Sequence, residues 1–343
     1  MPKQLDAQDF LNASGVILDV RSPGEYERGH IPGAISFPLF DNEERALVGT
    51  CYKQQGRDPA IELGLEITGP KLAGFVKRAK DLAPNRIVRV HCWRGGMRSG
   101  SMAWLLETAD FSVSTLVGGY KGFRQWVRGV LAGPKPIITL GGMTGSGKTA
   151  VLHALIDQGE QVLDLEAIAH HRGSSYGSLG LPPQPSTEHF ENLIAFQWQS
   201  FDASRPVWVE AESRQIGTCR IPGELFQPMA DAPILQIERS RLERIEYLLS
   251  EYGNANPDQL IEATERLRRR LGGDRTQHAI ECIRQNNLAS AINIVLDYYD
   301  QTYTHAINRR QVPIYSIEVT GLDASQVATL LREKARFYLE NQM

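Results

Sequence analysis

Short aliphatic and β-branched runs recur along the chain, and each stops at charged or glycine residues. In the first third these are Val16-Ile17-Leu18 and Ile87-Val88-Arg89-Val90. Further on come Ile137-Ile138-Thr139-Leu140, Gln161-Val162-Leu163, Val207-Trp208-Val209, Ile234-Leu235-Gln236-Ile237 and Val312-Pro313-Ile314-Tyr315-Ser316-Ile317. Runs this short, bounded by turn residues, predict buried strands. Helical periods lie between them, as at Met102, Ala103, Leu105 and Leu106, and an amphipathic helix is expected over 323–340. Strands alternating with helices predict an α/β fold with parallel sheets. Residues 239–308 are helical in pattern almost throughout, broken at 253–257 and at Gly272-Gly273. Leu131-Ala132-Gly133-Pro134-Lys135-Pro136 is rich in helix and strand breakers and marks a boundary. Two domains are expected, 1–131 and 134–343, the second carrying a helical lid or insertion at about 239–308.

A chain of 343 residues is long enough for two ordinary cores. The net charge of -3 argues against nucleic-acid binding over the whole surface and leaves room for a local basic face. Arg266, Arg268, Arg269 and Arg270 are one such cluster, although Glu262 and Glu265 lie at pairing distance. The four cysteines have no metal-type spacing, which predicts no metal centre and a reducing compartment. Neither a signal segment nor a membrane span is legible, so a cytoplasmic protein without membrane contact is expected.

The strand at 87–90 delivers Cys92 into Trp93-Arg94-Gly95-Gly96-Met97-Arg98-Ser99, where a helix begins. A thiol between a strand end, a glycine loop and a helix start meets backbone N–H groups and a positive dipole end. Arg94 and Arg98 add charge. That environment favours a thiolate, or an anion attached to it. His91 precedes Cys92 on an extended chain, faces the other way and is no base for it. Asp19, Arg21, Glu25 and His30 read as an ion-paired scaffold. The segment 49–57 reads as a loop or helix start that could border the site, with Cys51 a second thiol.

In the second domain, residues 142–149 fit Gly-x-x-x-x-Gly-Lys-Thr between a strand and a helix. The backbone of Gly142, Gly145, Ser146 and Gly147 should cradle a diphosphate, with Lys148 neutralising its charge and Thr149 able to hold magnesium. Asp164, Glu166, Glu210 and Glu212 end strands nearby and are candidates to orient a metal or a water, although any of them could instead cap a helix.

Asp-Val-Arg-Ser-Pro-Gly-Glu-Tyr from Asp19, Gly-His-Ile-Pro-Gly-Ala from Gly29, the Cys92 loop and Gly-Gly-Tyr at 118–120 together resemble a rhodanese domain. That resemblance implies a thiol that carries sulfur or selenium. Arg98 lies six positions after Cys92, one more than in ordinary rhodanese loops. The longer loop resembles that of rhodanese-fold phosphatases and suits a phosphorylated chalcogen donor. Taken with the P-loop, Asp-Leu-Glu at 164 and His-Arg-Gly-Ser at 171, the whole chain resembles the bacterial tRNA 2-selenouridine synthases. The resemblance implies an α/β fold, an N-terminal rhodanese-like domain plus a C-terminal P-loop NTPase-like parallel-sheet domain. It implies a transferase acting on the wobble uridine of tRNAs for Lys, Glu and Gln. In that family 2-thiouridine is geranylated by geranyl diphosphate, and selenium from selenophosphate then displaces the geranylated sulfur. Cys92 would carry the selenium as a perselenide, and Arg94, Gly95, Gly96 and Arg98 would hold the donor phosphate. The P-loop motif alone fits the diphosphate of ATP or of a prenyl donor; the resemblance implies the prenyl donor, with Met143 one candidate to lie beside its hydrocarbon tail. No tightly bound cofactor is implied; selenophosphate and geranyl diphosphate are substrates. The alternative readings are a nucleotide-dependent rhodanese-type sulfurtransferase acting on tRNA or a carrier protein, and a phosphatase–kinase fusion.

Overall fold

The computed structural model describes residues 2–211 and 213–340, with nothing of the side chains at 339 and 340. It divides into one unit of residues up to Val130 together with Glu191–Phe196, and a second unit holding the remainder.

The first unit is built on a five-stranded sheet. Its strands are β1 (Lys3–Leu5), β2 (Val16–Asp19), β3 (Ile35–Ser36), β4 (Ile87–His91) and β5 (Ser112–Leu116), in the order β1-β5-β4-β2-β3. Every pairing is parallel. Parallel strands need both faces covered, and their aliphatic runs match that need. Leu18, Val88, Val90, Met102 and Leu106 pack into one buried cluster. The register sets Asp19 opposite His91 at the carboxyl end of the central strand, one residue before Cys92. Ligands bind beyond that edge in open α/β sheets. The segment 49–57, expected as a loop or helix start, falls mostly within the helix Asn42–Gln54. Asp41 and Glu44 form its capping box, and Gly56 separates it from Arg57–Thr68.

The second unit has its own five-stranded parallel sheet of β6 (Ile137–Gly142), β7 (Gln161–Leu163), β8 (Val207–Glu210), β11 (Ile234–Glu238) and β12 (Ile314–Glu318), in the order β12-β11-β6-β8-β7. A small antiparallel pair, β9 (Gln215–Ile216) and β10 (Cys219–Arg220), stands apart from it. The strand β8 ends on the candidate acid Glu210. Between β11 and β12 the chain forms five helices: Arg241–Tyr252, Pro257–Glu265, Arg268–Leu271, Gly273–Arg284 and Leu288–Ile307. The final helix, Ala324–Glu340, packs Val327, Ala328 and Leu331 against the core of the sheet. Among the described residues no helix is long and apolar enough to cross a membrane.

Candidate active sites in the two units

Cys92 is buried at the end of β4, at the mouth of a loop that turns into the helix Met97–Thr108. Its Sγ lies 3.2 Å from Ser99 Oγ. Burial pushes the thiol up. The Ser99 hydroxyl, the N–H groups of Ser99 and Arg94 and the charge of Arg98 outweigh it, so the thiol is held below its ordinary value. The helix Pro23–Arg28 fixes Arg98, whose Nη1 donates to Glu25 Oε2 at 2.7 Å. Glu25 Oε2 also accepts from the N–H of Ser22 at 3.0 Å. The scaffold carboxylate thus aims the loop arginine. Arg94 is exposed at the rim. Arg57 Nη2 approaches the Met97 sulfur at 3.9 Å, which brings the 49–57 segment to that rim. Cys51 is buried on its helix as a free thiol.

The loop is braced from behind by the Gly-Gly-Tyr block. Tyr120 N–H donates to Cys92 O at 2.8 Å, and Lys121 N–H to Trp93 O at 2.9 Å. Gly119 has φ +57°, and a Cβ on it would collide with Cys92 O and Gly95 N. Gly95 has φ +67°, and its Cβ would stand 2.7 Å from Leu116 O. Both positions need glycine for space as well as for conformation. Under the loop Arg21 bonds Asp19 through two nitrogens, and its Cζ lies 3.7 Å above the Tyr120 ring. His91 is fully buried, 3.7 Å from Asp19, and burial pulls its pKa down to about 4, so it is neutral.

In the second unit, β6 runs into Gly142 and the helix Lys148–Asp157 leaves from Gly147, a left-handed residue. Lys148 Nζ donates to Gly142 O at 3.0 Å. Thr149 Oγ1 lies 3.2 Å from Glu210 Oε1 and 3.5 Å from Glu166 Oε2. The candidate acids therefore separate. Glu166 and Glu210 converge on Thr149. Asp164 caps the helix Leu165–Ala169 through the Ala167 N–H and meets His153 Nε2 at 3.1 Å. Glu212 lies outside the described residues. No cluster of three His, Cys, Asp or Glu side chains suited to a metal occurs among the described residues. The Ser146 hydroxyl is buried with no hydrogen-bond partner among the described residues.

The helical insertion packs directly on this loop. Buried Arg244 donates Nε to Thr144 O at 2.8 Å and pairs with Asp300 through both terminal nitrogens. Gly142 N–H donates to the Tyr303 hydroxyl at 2.7 Å. The Tyr247 ring lies beside Gly147, and burial, with Glu251 and Glu210 adding to it, pushes its phenol up to about 12.

Residues 135–336 match the family described as tRNA 2-selenouridine synthase AAA domain, and residues 3–125 match the Rhodanese-like domain. This chain belongs to the tRNA 2-selenouridine synthase family. A tRNA 2-selenouridine synthase of Marinobacter nauticus is 32% identical over 91% of this chain and 94% of its own length. Those of Shewanella oneidensis and Bordetella bronchiseptica are each 34% identical, covering 88% and 96% of this chain and 89% and 98% of their own.

Several residues that build these sites in a 2-selenouridine synthase chain are silent in a linear reading. Ser99 reads as a helix-start residue and turns out to be the nearest side-chain partner of the thiol. Its position in the first turn after Gly96 was the available signal. Arg244, Tyr247 and Tyr303 lie about a hundred residues or more from the P-loop in sequence, and no spacing announces them.

Proposed function

We propose that this chain converts the wobble 2-thiouridine of tRNA to 2-selenouridine in two steps, one at each site, with the tRNAs for Lys, Glu and Gln as substrates. The observation that carries the reading is the Cys92 cradle: a buried thiol held toward its anion by Ser99, backbone N–H groups and a clamped arginine.

In the first step the P-loop holds geranyl diphosphate. Lys148 and the N–H groups of residues 145–149 bind the phosphates, and a phosphate oxygen would satisfy the Ser146 hydroxyl. The thiouridine sulfur bonds to C1 of the geranyl chain, the C1–O bond breaks, and diphosphate leaves with the electron pair. The N3 proton of the base is lost. Thr149 with Glu210 and Glu166 fits a magnesium ion bound beside the phosphates, where the ion would spread the charge of the leaving group.

In the second step selenium from selenophosphate bonds to C2 of the base, and geranylthiolate leaves. Arg98, Arg94 and the Gly95–Gly96 backbone hold the donor while Cys92 attacks it. Attack at selenium forms an S–Se bond and breaks Se–P with the pair on phosphorus, leaving a Cys92 perselenide and phosphite. The perselenide then bonds to C2, and the departing geranylthiolate attacks the Cys92 sulfur and breaks S–Se with the pair on selenium. This gives selenouridine and a Cys92–geranyl mixed disulfide that a thiol reductant returns to the free Cys92. A second reading is favoured by the Arg98 spacing and its clamp: attack at phosphorus forms an S–P bond and expels selenide, and water then releases phosphate from Cys92. The phosphorus product separates the two.

The test is mass spectrometry of tRNA nucleosides with purified variants. Cys92→Ser should accumulate geranylated thiouridine and form no selenouridine. Lys148→Ala should stop geranylation. Selenation by Cys92→Ser at the wild-type rate, or loss of thiouridine itself from cells lacking the protein, would point instead to the nucleotide-dependent sulfurtransferase.

A further inference from the structure

Next to the P-loop, the helical insertion encloses a cavity whose walls the diphosphate assignment leaves unused. Thr144, Leu248, Leu260, Ile283, Leu288 and Ala291 are among the residues that line it. The empty space between the walls, open mouth included, comes to about 510 Å³. None of the thirteen lining residues is charged: eight are aliphatic, three are tyrosines, and only Thr144 and Ser174 are otherwise polar. Two of the tyrosine hydroxyls are already engaged, Tyr176 with Thr264 Oγ1 at 2.7 Å and Tyr299 with the N–H of Ser175 at 3.1 Å. A nucleoside placed here would lose its water and find few partners, which is costly. A hydrocarbon chain would lose nothing and gain the burial.

The P-loop residue Thr144 ties the two regions together. Its carbonyl is held by Arg244 from the same helix that supplies Leu248 and Tyr252 to the wall. Asp300, on the helix that supplies Ala291, completes the latch. The P-loop and the apolar cavity thereby share a wall, with phosphate-binding chemistry on one side and oily surface on the other. Leu260, Ile283 and Leu288 belong to an apolar cluster that contains no P-loop residue.

We propose that this cavity receives the hydrocarbon tail of a prenyl diphosphate, and that Leu260, Ile283 and Leu288 close it and set the accepted chain length. The proposal rests on reading the P-loop as the prenyl diphosphate site. It adds the tail pocket, its floor and the residues that select among prenyl donors.

The experiment measures KM and kcat for prenylation of thiolated tRNA with geranyl and farnesyl diphosphate, and calorimetric binding of inorganic diphosphate alone. Ala291→Leu adds bulk to the wall of the cavity and should raise the geranyl diphosphate KM at least about tenfold, since one methylene of lost burial is already worth about fourfold. Its affinity for inorganic diphosphate should match wild type, which also shows that the variant is folded. Ile283→Ala with Leu288→Ala should shift the kcat/KM ratio toward farnesyl by at least about tenfold. An unchanged geranyl KM in Ala291→Leu together with an unchanged chain preference in the double variant would overturn the proposal while leaving the P-loop reading intact. A wild-type protein stabilised by ATP and indifferent to geranyl diphosphate would instead remove the reading beneath it.

Discussion

Gly119→Ala puts the architecture of the thiol loop under direct test. Gly119 holds φ +57°, and a methyl group there would collide with the carbonyl of Cys92 and the N–H of Gly95. An alanine in the left-handed region costs about 1–2 kcal/mol. Overpacking against fixed backbone adds about 1–3 kcal/mol. Displacing the loop also weakens the Tyr120 N–H to Cys92 O bond, worth about 1 kcal/mol. Together these come to about 3–6 kcal/mol, a large part of the ~5–15 kcal/mol stability of a typical domain. If the loop yields instead of unfolding, Cys92 shifts relative to Ser99 and Arg98, and a misplacement of about 1 Å costs about 10²-fold in rate. The assay pairs urea unfolding with the rate of Cys92 alkylation by iodoacetamide. Gly100→Ala is the control: it sits within the helix Met97–Thr108 with nothing within 4 Å of its would-be Cβ, and should be neutral or slightly stabilising. A Gly119→Ala protein within about 0.5 kcal/mol of wild type, alkylating at the wild-type rate, would refute the claim that the Gly-Gly-Tyr block braces the loop.

Alkylation of Cys92 should persist below the pH at which an ordinary thiol goes silent and be lost as pH falls through its lowered pKa; Ser99→Ala, which removes a group favouring the anion, should move the midpoint upward in a pH–rate profile. His91 is neutral and buried with a pKa of about 4 against 6.5 in the open chain, so the unfolded state binds the extra proton between these values. Stability of the first unit should fall by about 3 kcal/mol as pH drops from 6.5 to 4, and His91→Phe should flatten that slope in chemical unfolding. Glu210→Gln, which replaces the carboxylate beside Thr149, should weaken magnesium support of geranyl transfer about 10–100-fold in a metal titration, with Cys92 alkylation untouched.

The two folds were legible along the chain because their strands are buried on both faces, and burial writes itself as uninterrupted aliphatic runs such as Ile137–Leu140 and Val207–Val209. The two loops were legible for a related reason. A thiol or a phosphate gripped by backbone N–H groups needs glycines and a helix start at fixed offsets, and these are local, as at Cys92–Ser99 and Gly142–Thr149. Contacts across long sequence separations left no such trace. That Glu25 aims Arg98, that Glu166 and Glu210 meet at Thr149 while Asp164 turns away to cap a helix, and that Arg244 and Asp300 bind an oily cavity to the P-loop are decided by how helices pack. Residues 239–308 carry apolar positions at helical spacing whether they close on each other or leave a space between them. Periodicity shows which face is buried; only the packed helices show that the buried faces enclose a void beside Thr144.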